Sequence, residues 1–180
     1  MRRLQLTVLI AASCLMLAIP AFAQQPYSGL QTRSIKALSD EQIADLRAGR
    51  GMSLALAAEL NGYPGPAHVL ELSEPLGLSE SQTADVRNLF AAMRAEAVPI
   101  GERLIAQEAE LDRLFMTRAI TPTTLSDHTD MIGATQAALR ATHLKYHLST
   151  LALLTPQQLD RYAELRGYKK DTETPMHHPH

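Results

Sequence analysis

Cysteine is nearly absent from the 180-residue chain: its single copy, Cys14, lies in an apolar stretch at the start. We expect that stretch to be a leader that is removed on export, so the mature protein would contain no cysteine. This excludes disulfides, thiolate metal sites and thiol nucleophiles. Stability must then come from side-chain packing, for which the chain is long enough to form one domain.

An excess of basic residues is also missing. Lysine and arginine together number 17, against 19 aspartates and glutamates. Loss of Arg2 and Arg3 with the leader leaves 15 basic and 19 acidic side chains, a net charge of −4. Nucleic-acid-binding domains normally carry a basic patch. No nucleic-acid partner is therefore expected.

The sequence lacks the short motifs of the common enzyme classes. It contains no glycine-rich phosphate loop, no G-x-S-x-G elbow and no H-E-x-x-H pair. Carboxylates such as Glu102, Glu108 and Glu110 occur where helices carry solvated charges, and no pair stands apart for acid–base chemistry. The sequence therefore predicts a protein that is not an enzyme.

The first 23 residues have the pattern of a secretory signal peptide. Arg2 and Arg3 precede an apolar run over residues 4–19, and Ala-Phe-Ala at residues 21–23 is a small-x-small cleavage site. The run is too short for a typical membrane span. We expect cleavage after Ala23, export, and no membrane span in the mature protein.

Apolar periodicity in the rest of the chain predicts a long helical hairpin. Over residues 79–117 apolar side chains recur at alternating spacings of four and three, the pattern along which two helices pack. A second helix from Thr121 carries apolar residues at a spacing of seven from 125 to 153. The link over 118–122 is short, so the helices should be antiparallel. Pro99 predicts a bend in the first helix, because proline removes one backbone hydrogen bond and crowds the preceding turn.

Shorter helices are predicted on both sides of the hairpin. They begin at Ser39, Ser53 and Pro66, and a last one covers residues 155–166. Each is too short to be stable alone, so they should pack on the hairpin, and nothing alternates with the period of a strand. The predicted fold is all-α, with this division: 1–23 signal peptide, 24–75 N-terminal extension, 76–168 helical hairpin domain, 169–180 disordered His-rich tail.

One motif, Leu-Ser/Thr-x-x-Gln, occurs before the first long helix and again before the last helix. It is a capping box. The serine or threonine hydroxyl accepts a hydrogen bond from the backbone N–H of the glutamine three residues later, and the glutamine side chain accepts one from the backbone N–H of the serine or threonine. The same pattern also occurs further upstream, with Leu38, Ser39 and Gln42. The two motif copies consist of Leu78, Ser79 and Gln82, and of Leu154, Thr155 and Gln158.

With its leader, hairpin and repeated motif, the chain resembles the Spy/CpxP family of small periplasmic proteins, which carry the motif L-T-x-x-Q twice. The copy at 154–158 matches fully, and the copy at 78–82 has serine for threonine. The resemblance covers residues 76–168. It implies a cradle-shaped, homodimeric periplasmic protein, either an ATP-independent chaperone of the envelope stress response or a heavy-metal resistance and sensing protein. The chain departs from the family in its extension over 31–72 and in its slightly acidic charge, since a basic cradle would help to attract acidic clients.

If the protein is a chaperone, unfolded clients or envelope proteins would bind on the concave side of the hairpin. The candidate client-binding residues are Met93, Ile100, Leu104 and Tyr146. The second long helix has a further apolar side, formed by Ala137, Ala141, Leu144, Leu148 and Leu151. Either the short helices cover this side, or it stays open for a second copy or another protein.

Histidines provide the alternative hypothesis, a metal-binding or metal-sensing protein. His143 and His147 are one helical turn apart and would place two imidazoles on one ion, or they are boundary residues satisfied by water or carboxylates. The tail adds Met176, His177, His178 and His180. Zinc, copper and nickel are the ions that such His-rich tracts bind. A third hypothesis is a structural partner of a sensor domain, with no client or metal.

Overall fold

The computed structural model describes residues 27–169. The predicted signal peptide and the histidines of the tail lie outside the described residues. In the part that is described, all regular structure is helical, apart from one isolated bridge between Ile35 and Leu38. The predicted all-α class is confirmed. None of these helices is long and apolar enough to cross a membrane.

The helices follow the predicted order. One predicted start is wrong: the helix expected from Ser53 begins at Leu56, because Met52 and Ser53 have positive φ angles of 41° and 67°, which a right-handed helix cannot contain. In residues 27–169 the elements are a 3₁₀ turn Leu30–Thr32, α1 Asp40–Ala48, α2 Leu56–Glu59, α3 Pro66–Glu71, α4 Glu80–Met116, α5 Pro122–Leu151 and α6 Pro156–Leu165.

The long helices α4 and α5 form the antiparallel hairpin. Arg118, in the left-handed conformation with φ 56°, ends α4, and the Ala119 N–H donates to the Leu114 carbonyl at 3.0 Å. Thr121 then caps α5. Pro99 lies inside α4, which continues on both sides of it; the bend expected there stays a prediction.

The N-terminal extension packs along the hairpin. Helix α1 crosses α4 at Gly101, where a Cβ atom would lie 2.6 Å from the carbonyl oxygen of Leu46. Only glycine permits this approach, since real Cβ contacts are longer. The shared hydrophobic core contains Ile35, Leu38 and Leu46 from the extension with Ala97, Leu104, Ile105, Ile132 and Leu139 from the hairpin.

A second hydrophobic core lies at the open end of the hairpin. Its buried residues come from α3, the loop before α4, α4 itself and the C-terminal part of the chain. They are Val69, Leu76, Val86, Leu154 and Tyr162. This core holds α3 and α6 against the two long helices, so the extension is anchored at both of its ends.

Candidate functional site

The two motif copies meet at the open end of the hairpin. Each forms the predicted capping box: Ser79 accepts from the Gln82 N–H at 3.1 Å, and Thr155 from the Gln158 N–H at 3.2 Å. The two glutamine amides then bond to each other, Gln82 Nε2 to Gln158 Oε1 at 2.9 Å and Gln158 Nε2 to Gln82 Oε1 at 3.1 Å. The motif therefore caps two helices and also ties the start of α4 to the start of α6.

The predicted client-binding residues are not open to a client in this structure. Met93 and Leu104 are buried, and Ile100 is half-buried against the core that Leu104 shares with the extension. Tyr146 is buried as well, and its hydroxyl donates to Glu96 of α4 at 2.7 Å. These side chains therefore form no free concave surface in this structure, because apolar side chains of the extension pack in the core that contains Leu104 and Ile100. Their role in binding clients stays a prediction.

The second apolar side of α5 is largely exposed, unlike the predicted client-binding residues. Ala137 and Ala141 are exposed, Leu148 is 59% exposed, and Leu144 and Leu151 are half-buried. Coverage by the short helices, one of the two possibilities, is therefore wrong for most of this face. Within residues 27–169, α5 buries one side and leaves the opposite apolar side open.

The helical histidine pair lies inside the protein. His143 is only 2% exposed, and its Nε2 has no hydrogen-bond partner among the described residues. Burial, and then the nearby His147, lower the pKa of His143, so it is held neutral. His147 Nδ1 lies 2.7 Å from the carbonyl of Tyr63. No group of three or more His, Cys, Asp or Glu in the described part of the chain is arranged to hold a metal ion.

These histidines border a buried polar cluster centred on Glu59, at the end of α2. The Glu59 carboxylate is 5% exposed and accepts from the Gly65 N–H at 3.1 Å and from the Tyr162 hydroxyl. The Tyr168 hydroxyl donates to the same carboxylate at 3.1 Å, and Arg166 Nε lies 3.6 Å away. We call this set the Glu59 cluster; its members are Glu59, Gly65, His68, His147, Tyr162, Arg166 and Tyr168.

The electrostatics keep Glu59 ionised. Burial alone would raise the pKa of its carboxyl, but His68, 3.4 Å away, and the hydrogen bonds from Tyr162 and Gly65 outweigh burial and lower that pKa to about 2. Burial and the carboxylate in turn raise the pKa of Tyr162. Glu59 is thus a fixed anion that accepts hydrogen bonds, and it cannot serve as a proton donor near neutral pH.

The Glu59 cluster joins distant parts of the chain. Glu59 and Gly65 belong to the extension, His147 to α5, and Tyr162 to α6. Gly65 must be glycine, because a Cβ atom there would lie 2.8 Å from the His147 ring. Sequence reasoning missed Glu59, and its one signal was a lone carboxylate in the apolar stretch Leu-Ala-Leu-Ala-Ala-Glu-Leu at 54–60.

A pocket of about 340 Å³ opens beside the Glu59 cluster, between the extension and the hairpin. Its polar lining comes from Glu59, the three histidines 68, 143 and 147, Arg166 and Tyr168, and its apolar lining includes Met52 and Met93. Arg166, 3.6 Å from the Glu59 carboxylate, carries the opposite charge, and the rest of the lining offers hydrogen-bonding groups and thioethers.

No family model, curated protein or solved structure matches the chain. The resemblance to the Spy/CpxP family therefore depends on the predicted leader, the repeated motif and the hairpin alone.

Proposed function

We propose that the protein is a periplasmic, ATP-independent chaperone-like protein of Spy/CpxP type that binds unfolded or envelope proteins, and that the N-terminal extension covers its client-binding face when no client is bound. The observation that supports this best is that Ile100 and Leu104 of α4 pack in the core shared with the extension, while Met93 lines a groove beside residues 48–52. In this proposal a client displaces the extension and binds these apolar side chains in its place.

Open grooves border the contact between the extension and the hairpin. One, of about 580 Å³, is lined by Met93 of α4 and by residues 48–52. Another, of about 550 Å³, is lined by Leu38, Leu104 and Leu139. In this proposal a client enters at these grooves before it displaces the extension.

Polar contacts set the closed position. The Glu59 cluster holds the end of α2 to α5 and α6, and Arg94 Nε of α4 donates to the Ala48 carbonyl at the end of α1 at 3.0 Å. These contacts have defined partners, so the extension returns to one position after a client leaves. In this proposal the extension regulates access, and the hairpin supplies the binding surface.

An aggregation assay with a chemically denatured client at stoichiometric ratio tests the proposal. Gly101→Ala adds a methyl group that meets the Leu46 carbonyl, so it should lift α1 and make the protein suppress light scattering more strongly than the wild type. Gly133→Ala is the matched control, because a Cβ atom at Gly133 meets nothing within 4 Å. If limited proteolysis shows the extension released in Gly101→Ala while scattering stays unchanged, the chaperone proposal is wrong.

Metal binding is the second proposal, and it depends on the composition of the C-terminal tail, with Met176, His177, His178 and His180. Calorimetric titration of the mature chain with zinc, copper and nickel, compared with a chain ending at Lys170, assigns any heat to the tail or to the folded part. A role as partner of a sensor domain would appear instead as a stable complex with a sensor ectodomain, in a protein that binds neither client nor metal.

A further inference from the structure

The pocket beside the Glu59 cluster contains a buried imidazole whose hydrogen bonding is incomplete. His143 of α5 lines this pocket and is only 2% exposed. Its Nε2 is buried and has no hydrogen-bond partner among the described residues. Because buried polar groups in proteins are nearly always hydrogen-bonded, this nitrogen indicates a place for the polar group of a molecule that enters the pocket.

The formally charged residues of the lining, Glu59 and Arg166, are already paired with each other. Arg166 Nε lies 3.6 Å from the Glu59 carboxylate and donates to the Tyr168 hydroxyl at 3.2 Å. Burial lowers the pKa of His143, which keeps its imidazole neutral. A charged ligand would lose its hydration without gaining a free counter-charge from Glu59 or Arg166, and that loss is costly. The lining therefore favours an uncharged ligand.

The apolar part of the lining suits a flat ring. Met52 of the extension and Met93 of α4 both contribute to it, and methionine thioethers make favourable contacts with aromatic rings. Leu56 and Ala67 add aliphatic surface. The volume of about 340 Å³ lies at the lower end of the range for small-molecule sites. The pocket therefore has room for a ligand of one or two rings.

We propose that this pocket binds a small, uncharged aromatic alcohol, with its ring against the methionines and its hydroxyl on His143. A neutral imidazole has one donor and one acceptor nitrogen, and a hydroxyl can both donate and accept, so a hydroxyl satisfies Nε2 in either tautomer. Met52 belongs to the extension, and Met93 and His143 to the hairpin, so the ligand bridges the two. The inference does not depend on chaperone activity, because ligand binding is measured on the protein alone.

Four probes that share one ring test the ligand class. Benzyl alcohol is neutral and has a hydroxyl, toluene lacks the hydroxyl, and benzoate and benzylamine carry a charge. NMR titration of the mature protein, isotope-labelled in the histidine rings and the methionine methyl groups, follows His143, Met52 and Met93 directly. Benzyl alcohol should bind about threefold to tenfold more tightly than toluene, the effect of one hydrogen bond, and both charged probes should bind more weakly than either.

Three results of this titration would overturn the inference. The first is equal affinity for benzyl alcohol and toluene, and the second is tighter binding of a charged probe. The third is the absence of any shift at the pocket signals, which would mean that water alone satisfies the His143 nitrogen.

Substitutions test the position of the ligand. Ala67→Leu puts a larger side chain into the pocket from α3 and should abolish binding, whereas Ala57→Leu, at an exposed residue of α2 outside the lining, should leave binding unchanged. His143→Phe keeps a planar ring but removes both nitrogens, so it should reduce the affinity for benzyl alcohol to that for toluene. Circular dichroism checks that each variant folds, and binding that survives Ala67→Leu would overturn the inference even if His143→Phe does not fold.

Hydrogen exchange tests whether the ligand bridges the extension and the hairpin. A ligand that contacts both parts stabilises the arrangement in which they are packed together, so amide exchange over residues 51–68 should slow severalfold when benzyl alcohol is bound. Equal exchange rates with and without bound alcohol would overturn the assignment of the site to this pocket.

Discussion

Replacing Glu59 by glutamine tests the account of the Glu59 cluster most directly. The pKa of Glu59 is lowered from 4.5 to about 2. At about 1.4 kcal/mol per pKa unit, the native environment therefore favours the ionised carboxylate over the protonated form by about 3 kcal/mol. Glu59→Gln keeps the shape and one acceptor oxygen but loses the charge. We expect a loss of about 2–3 kcal/mol in the free energy of unfolding near neutral pH.

Urea unfolding followed by circular dichroism measures this loss. The free energy of unfolding falls linearly with urea concentration, and with the slope usual for a domain of this size the midpoint should fall by about 1–2 M urea. Glu71→Gln is the control, since Glu71 is an exposed carboxylate on α3 near the same site. Its midpoint should stay close to that of the wild type, because exposed charges contribute little.

The pH dependence provides the sharper test. Because the folded-state pKa of Glu59 is lowered, its contribution is fully present above about pH 4.5 and is lost as the pH falls toward 2. The difference in unfolding free energy between wild type and Glu59→Gln should therefore shrink across that window. A constant difference from pH 6 to pH 3, or no difference at all, would refute the assignment of Glu59 as a buried anion.

Three further predictions concern other contacts. A double-mutant cycle with Gln82→Leu and Gln158→Leu should give a coupling energy of about 0.5–1.5 kcal/mol, because each amide is the other's partner; purely additive losses would mean that the two caps act separately. Gly65→Ala should lower the unfolding free energy by about 1–3 kcal/mol through overpacking against the neighbouring imidazole, and an unchanged urea midpoint would contradict that contact. Burial and the bond to Glu96 raise the pKa of Tyr146 to about 12, so an ultraviolet titration should show one tyrosine whose pKa falls in Glu96→Gln, and no fall would rule out this bond.

The helices could be predicted from local sequence because their signals are local. Ser79 and Thr155 cap helices through residues only three positions away, and the spacing of apolar residues along α4 and α5 lies within single segments. The start of α2 was predicted wrongly because Met52 and Ser53 have left-handed φ angles, and neither residue signals that conformation as glycine or asparagine would.

The candidate site could not be predicted in the same way. The Tyr162 hydroxyl that binds Glu59 is 103 positions away in sequence, and no periodic pattern links the two. Nothing in the sequence around Gly101 signals its contact with the backbone of α1. The histidine pair was placed on one helix correctly, but burial by the extension, which determines its chemistry, depends on how distant segments pack.

The pairing of Gln82 with Gln158 limits how this molecule can change shape. At one end the turn over 117–121 joins α4 to α5 covalently. At the other end the Gln82–Gln158 amide pair links α4 to α6, which directly follows α5. The amide pair therefore opposes separation of the long helices at the end that the turn does not join. In the proposed mechanism, access for another molecule therefore comes from the side, where the extension packs along the long helices.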